Sequence, residues 1–355
     1  MGAAFSYALL ALATLLCCWL VYALSPQRRR LREQQKRPRA SAGRSQGDAP
    51  AGGKIDTLPP VAAVTAATVR ADFNDPRAVR HYEHAARSIG LWASERVAID
   101  RVLEMIRSPS SSTPAEPRVL ECGCGAGRVS IALCSPPQPL LRHIVAFDFA
   151  AELVARARAL VAEGRLSNAV SVHLADATDR AAVAALCAHL PPPRDGKESP
   201  PLPPHEFDLV LFLFNGLMQI PGRENRRRAM ANFAAVSRRG AVFLFTTHDR
   251  NHSPEDRRKF SAQARALARH HVQQRLGVHT SLSAHHVELG DRYFEEDGVG
   301  RTFMHLPDRA EIVDDLRATG WVRVWDAMRG ELVRGESDAV LEFSDECRFW
   351  AAMRA

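Results

Sequence analysis

Cysteine is sparse and unorganised in this chain of 355 residues. Seven are present, an odd number, and no Cys-x-x-Cys pair occurs. That excludes a disulfide framework and fits a reducing compartment. Cys122 and Cys124 read as small loop residues rather than ligands. The histidines at 270, 271, 279, 285 and 286 have no cysteine or carboxylate partners at ligand spacing, so no metal is expected. A Ser–His–Asp arrangement and a Gly-Lys-Ser/Thr phosphate loop are both missing. The body of the chain also lacks a charge excess. The first 50 residues hold eight of the 47 basic residues and two of the 40 acidic ones, so the rest is nearly neutral. A folded part without a basic surplus argues against nucleic acid as a partner.

No Lys or Arg precedes the one long apolar run, Ala8–Leu24, while Arg28-Arg-Arg-Leu-Arg32, Lys36 and Arg37 follow it. The run is at the short edge of a membrane span. Its flanks place the C-terminal side in the cytosol. A cleavable signal peptide carries its positive charge before the apolar run, so residues 1–25 read as an uncleaved signal anchor. Endoplasmic reticulum and mitochondrial outer membrane both fit. Met1-Gly2 with Ser6 also meets the permissive pattern for N-myristoylation. Residues 26–70, rich in Arg, Gln, Pro, Ala, Gly and Ser, form a basic linker attracted to anionic lipid.

What is present in strength is Arg118-Val-Leu-Glu-Cys-Gly-Cys-Gly-Ala-Gly-Arg128. It reads as a short apolar strand, an acidic end, a glycine turn and a helix start. Gly123, Gly125 and Gly127 allow positive φ and close approach of a ligand. A dinucleotide fingerprint would need glycine at 128, where Arg128 stands, so the turn fits S-adenosyl-L-methionine better than NAD. A second strand, His143–Asp148, ends in a carboxylate that either accepts two ribose hydroxyls or caps the following helix. A third runs from Ala169 to Leu174, into Asp176, which either meets an adenine amino edge or caps. A fourth, Phe207–Phe214, is continuously apolar, as a strand buried on both faces must be, and ends at Asn215. A fifth, Gly240–Thr246, leads to His248. Strands alternating with helices predict an α/β fold with a doubly wound, mostly parallel sheet, whose ligands sit beyond the strand C-termini.

Residues 118–247 resemble the class I S-adenosylmethionine-dependent methyltransferases. Glu121-Cys-Gly-Cys-Gly-Ala-Gly127 resembles the first motif of that family, Phe147-Asp148 the second and Ala175-Asp176-Ala177 the third. A group of bacterial-type members is similar at His81–Ala85, Gly90–Glu95, Phe214–Arg226, Thr246–Arg250 and Gly290–Phe294. The resemblance implies a Rossmann-like fold. It implies cofactor contacts at Glu121, Gly123, Gly125, Gly127, Asp148, Asp176, Ala177 and Asn215. The Asn/Asp-Pro-Pro-Tyr/Phe signature of amino-methylating DNA enzymes is absent after the fourth strand, as are the paired glutamates of protein arginine methyltransferases.

The domain therefore spans 71–355. Residues 71–117 form a helical cover in which Tyr82 and Trp92 either line the acceptor site or pack on the sheet. Residues 191–204 contain seven prolines and form a surface insertion. Residues 249–306 interrupt the alternation with a helix, Pro254–Arg275, and a hairpin, His285–Phe294 with Arg301–Leu306, expected to cover the substrate. A helix between Pro307 and Gly320 follows, then closing strands Trp321–Ala327 and Ala339–Trp350. The expected activity is methyl transfer to a small-molecule acceptor. His248 is the candidate general base, His248 and Tyr293 are the candidate catalytic residues, and Tyr82, Trp92, His248 and Tyr293 the candidate substrate contacts. The alternative is a membrane-tethered scaffold that keeps this fold without catalysis.

Overall fold

A computed structural model describes residues 64–107, 116–190, 207–275, 288–296 and 298–355. All of these lie in one unit, Asp56–Ala355. The expected anchor, most of the linker and the proline-rich insertion fall outside the described residues. Among those that are described, no helix is long and apolar enough to cross a membrane.

Apolar runs become strands where both faces are covered. β1 (Val119–Cys122), β2 (Ile144–Asp148) and β4 (Phe207–Phe212) are buried at every position. Successive side chains feed opposite cores, as the period of two requires. Leu209 and Leu211 enter one core with Ile99, Val129 and Val154. Val210 and Phe212 enter the other with Phe233, Ile312 and Trp321. With β3 (Val170–Leu174), β5 (Ser237–Thr247), β8 (Trp321–Met328) and β9 (Arg348–Arg354), these strands form a seven-stranded sheet of order β3-β2-β1-β4-β5-β9-β8. β9 runs antiparallel to both of its neighbours, β5 and β8, and every other pairing in the sheet is parallel. The fold is thus the expected Rossmann-like α/β architecture. Strand order reverses between β1 and β4, which opens a crevice at their C-terminal ends.

The helices are α1 (Ala66–Phe73), α2 (Pro76–His84, prolonged by a π turn at Ala85–Ile89), α3 (Ala93–Ile106), α4 (Arg128–Cys134), α5 (Ala151–Glu163) and α6 (Arg180–Ala185). They continue with α7 (Arg223–Val236), α8 (Pro254–Arg275), α9 (Arg309–Ala318), α10 (Arg329–Leu332) and α11 (Asp338–Phe343). A 3-10 turn at Gly216–Gln219 follows β4. Two sequence expectations need correction. β5 begins at Ser237, three residues early, across a register shift opposite Phe207 and Leu209. Residues 338–343 are helical, because the Ser337 side chain accepts from the Val340 N–H and caps α11. The last strand therefore starts at Arg348.

The hairpin is present as β6 (Asp291–Glu296) and β7 (Gly300–His305). β7 packs on α1 and on the 3-10 turn. Tyr293 and Phe303 join Val69, Phe73, Ala150 and Leu153 in a third apolar cluster. The hairpin base is held by buried charge. His305 donates from Nδ1 to Asp291 at 2.8 Å and from Nε2 to Glu311 at 2.7 Å. Arg226, only 1 % exposed, donates to Glu288 at 2.7 Å. Arg250 donates to Glu311 at 2.8 Å and Asp308 at 2.5 Å. Burial pulls the His305 pKa down, but the hydrogen bonds to Asp291 and Glu311 outweigh it and the net shift is upward.

A histidine whose folded pKa is raised contributes stability that is complete below its ordinary value and is lost as pH rises through the folded one. Thermal denaturation should therefore show stability falling above about pH 6.5, the ordinary value. His305→Gln should flatten that fall and cost about 3–5 kcal/mol at pH 6, the range for breaking a buried ion pair. An unchanged pH profile in the variant would contradict the charged cluster.

Candidate active site

At the end of β1 the backbone turns sharply enough to need glycine. Gly123 has φ +60°, and a Cβ there would lie 2.5 Å from the Phe212 ring. Gly125 has φ +55° and faces the Tyr82 ring, 3.6 Å from where its Cβ would be. Gly127, at φ +86°, is the N-cap of α4. Asp148 fastens this turn from the next strand. Its Oδ2 accepts from the Gly125 N–H and its Oδ1 from the Ala150 N–H, both at 2.9 Å. The N-cap of α5 is Ala150, so Asp148 serves the turn rather than the cap. Burial raises its pKa, against the hydrogen bonds from Ala150 and Gly125. Asp176 accepts from the Thr178 N–H and hydroxyl at 2.9 and 2.7 Å, and from Arg70 at 2.8 Å. The following helix is capped by Asp179 instead.

Glu121 is buried, with the Ser130 hydroxyl donating to it. Burial pushes its carboxyl up to about 7. Arg128, which at the sequence level only spoils a dinucleotide fingerprint, has a partner that sequence reasoning missed. Its two terminal nitrogens each donate to Glu95 at 2.6 Å, and one also donates to the Gly90 carbonyl at 2.7 Å. The guanidinium lies over Trp92, 4.9 Å from the ring centre. Glu95 also accepts from the Trp92 N–H, closing the first turn of α3. Only that capping contact, three residues apart, leaves a trace in the sequence.

These elements enclose a cavity at the switch point, with about 1170 Å³ of atom-free space including its mouth. Glu121, Gly123, Gly125, Asp148, Asp176 and Ala177 line it, as does Tyr82. α1 closes one side through Ala66, Val69 and Phe73, and Phe149 and Phe214 add aromatic wall. Phe73 packs against both Tyr82 and Phe149, with ring centres 5.6 and 5.5 Å apart. The role of α1 was missed because it precedes every recognisable motif.

Five expected residues lie off the lining, the first being Gly127, which serves as the N-cap of α4. Asn215 is buried behind the wall, its Nδ2 donating to His248 Nε2 at 3.1 Å. His248 donates from Nδ1 to the Glu346 carbonyl at 2.9 Å, so both ring nitrogens are engaged. Burial pulls its pKa down. A neutral imidazole with both nitrogens occupied and no place on the cavity lining has no acceptor proton within reach. Trp92 is 1 % exposed and sits in the core, edge-on to Phe214 at 5.4 Å. Tyr293 donates its hydroxyl to Asp72 at 2.8 Å and packs under α1, and burial first among causes pushes its pKa up to about 12. The hairpin thus braces the cavity wall from behind; among the described residues of 249–306, none lines the cavity itself. Glu288, Asp291 and His305 bring potential ligand atoms within 4.8 Å of one another, but their hydrogen bonds within the ion cluster already use those atoms.

No family model and no curated protein matches the chain. Among solved structures it is similar to a SAM-dependent methyltransferase from Methanosarcina mazei, at 15 % identity and TM-score 0.45, covering 68 % of this chain and 93 % of that one. It is similar to magnesium protoporphyrin IX methyltransferase from Synechocystis with bound SAM, at 13 % identity and TM-score 0.45, covering 81 % and 96 %. An amino pentose methyltransferase from Micromonospora echinaspora is 16 % identical with TM-score 0.42, covering 77 % and 96 %. These likenesses concern the fold alone.

The raised Glu121 pKa has a consequence for stability. An acid at about 7 in the folded protein and 4.5 ordinarily holds its proton more tightly when folded. Stability then falls as pH rises between those values and levels above them. Glu121→Gln, which imitates the protonated acid, should remove that component, so that its melting temperature drops less between pH 5 and pH 8 than the wild type's. Parallel slopes would contradict a protonated Glu121. Tyr293→Ala should lower stability by about 3–5 kcal/mol, as for other large-to-small core changes. The folded fraction should keep its ligand affinity in calorimetry.

Proposed function

We propose that this chain is an S-adenosylmethionine-dependent methyltransferase acting on a small molecule, and that residues 1–25 and the basic flank tether it to the cytosolic face of a membrane. The observation that carries the catalytic reading is the convergence of Glu121, the glycine turn, Asp148 and Asp176 on one cavity at the switch point. The residues present fit the cofactor. Gly123 and Gly125 have no side chain where the backbone must approach a ligand. Asp148 supplies two acceptor oxygens for a ribose, and Asp176 an acceptor beside the apolar walls of Ala177 and Phe149. When bound, the cofactor supplies an already activated methyl group.

The protein's share of the work is then binding, orientation and exclusion of water. Tyr82 stands over the glycine turn, and Phe214 continues that wall toward the ends of β4 and β5. The reading uses no general base, since His248 is neutral and engaged on both sides. Trp92 and Tyr293 enter as supports of the wall rather than as substrate contacts. The membrane tether rests on the sequence of residues 1–37 alone.

Asp148→Ala should weaken S-adenosylmethionine binding by roughly 1.5–3 kcal/mol, the worth of hydrogen bonds to a charged group. Titration calorimetry on the folded variant measures this, and an affinity within twofold of wild type would remove Asp148 from the site. The full chain should stay with membranes through carbonate extraction. Release of a soluble product beginning near Leu24 would eliminate the anchor.

A further inference from the structure

Helix α8 has one side to rest on and one side left over. Among its described side chains only Phe260 is buried. Gln263, Ala264, Leu267 and His270 follow it at helical spacing and are half-buried. Gln263 fastens this side to the hairpin. Its Nε2 donates to the Asp291 carbonyl and its Oε1 accepts from the Gly290 N–H, both at 3.0 Å. The opposite side of the helix, 22 residues and about 33 Å long, faces solvent.

The solvent side is basic in a regular way. Arg258, Ala262, Arg265, Arg269 and Val272 succeed one another at intervals of four, three, four and three residues, and all are exposed. That spacing sets them in one line along the helix. The acids of α8, Glu255 and Asp256, lie in the first turn, where the helix dipole favours them. From Arg257 to Arg275 the helix carries six basic residues and no acid. Among the described residues no carboxylate pairs with Arg258, Arg265 or Arg269. Arg77, Arg226 and Arg250, around the same hairpin, are each held by carboxylates. Arg265 and Arg269 stand four apart, a like-charge spacing that destabilises a helix by itself. The folded part as a whole is nearly neutral, so this line is a local concentration of charge.

Resting on the membrane tether proposed above, we propose that the exposed side of α8 docks on an anionic lipid bilayer through Arg258, Arg265 and Arg269. A straight basic line on a convex helix matches a flat anionic surface, and the cytosolic leaflet supplies one. Val272, 56 % exposed, and the arginine stems suit the head-group layer. Single-stranded nucleic acid is held by a basic groove with aromatic platforms for the bases, and this line carries no aromatic residue. The tether keeps the domain near the membrane, and α8 sets its orientation. With its inner side on the hairpin and its outer side on lipid, α8 holds the hairpin one helix diameter, about 10 Å, from the bilayer. The hairpin in turn braces α1 and the cavity wall.

The test modifies arginines of the full-length protein with phenylglyoxal and reads each residue by mass spectrometry. The protein is presented with vesicles of phosphatidylcholine alone, with vesicles containing about 30 % phosphatidylserine, and, in detergent, with a short RNA duplex. Modification of Arg258, Arg265 and Arg269 should fall about threefold or more in the phosphatidylserine vesicles relative to phosphatidylcholine alone. It should recover at about 1 M salt, where the screening length is about 3 Å. Arg317, exposed on α9, is the internal reference. Arg265→Glu should at least halve the protection of Arg258 and Arg269, with an unchanged melting temperature. Equal modification in the two kinds of vesicle, protection by RNA without protection by phosphatidylserine, or protection that survives Arg265→Glu overturns the proposal. If the protein does not stay with phosphatidylcholine vesicles through carbonate extraction, the tether reading fails separately, and the phosphatidylserine arm still decides for or against α8.

Discussion

The Arg128–Glu95 pair is the constraint on which the site's architecture rests. Both groups are nearly inaccessible, with side chains 7 % and 0 % exposed. Separately, either charge would be prohibitive in an apolar interior. Together they use two short, parallel hydrogen bonds, and the Gly90 carbonyl and Trp92 ring take up remaining capacity of the guanidinium. The effect is geometric. Arg128 opens the helix that leaves the glycine turn, and Glu95 lies in the first turn of α3 behind the N-terminal cover. The pair fixes the cover's base to the turn, and Tyr82, upstream on α2, is thereby held over Gly125.

A second set of charges does the same for the hairpin. Arg226, Arg250 and His305 share Glu288, Asp291, Asp308 and Glu311, joining β6 and β7 to α7 and α9. The hairpin in turn supports α1 through Tyr293 and Phe303, and α1 closes the cavity. The cavity wall is therefore built in two layers. Apolar side chains and the carboxylates of Glu121, Asp148 and Asp176 face inward, and paired charges stand behind the wall.

Much of the fold was legible in the sequence because its signals are local. Continuous apolar runs marked β1, β2 and β4, and Pro307 with Gly320 bracketed α9. The glycine turn, Asp148 and Asp176 were also legible, since strand ends of a parallel sheet fall on one edge whatever the details. Residues 338–343 were misjudged because Ser337 caps a helix through a single hydrogen bond to Val340, and a six-residue segment carries too little periodicity to reveal it. His248 and Asn215 were placed correctly at strand ends but not in the cavity, because the side-chain direction depends on their mutual hydrogen bond and on Glu346, nearly 100 residues away. The partnerships of Arg128 with Glu95 and Tyr293 with Asp72 are tertiary for the same reason.

The central claim is that the cavity at the β1–β4 switch point is a nucleoside-sulfonium site. Titration calorimetry of the full-length protein with S-adenosylmethionine, and in parallel with NAD, tests it most directly. The account predicts saturable one-to-one binding of S-adenosylmethionine, competed by S-adenosylhomocysteine, and no heat from NAD. Absence of S-adenosylmethionine binding to a folded preparation, or tighter binding of NAD, would contradict it.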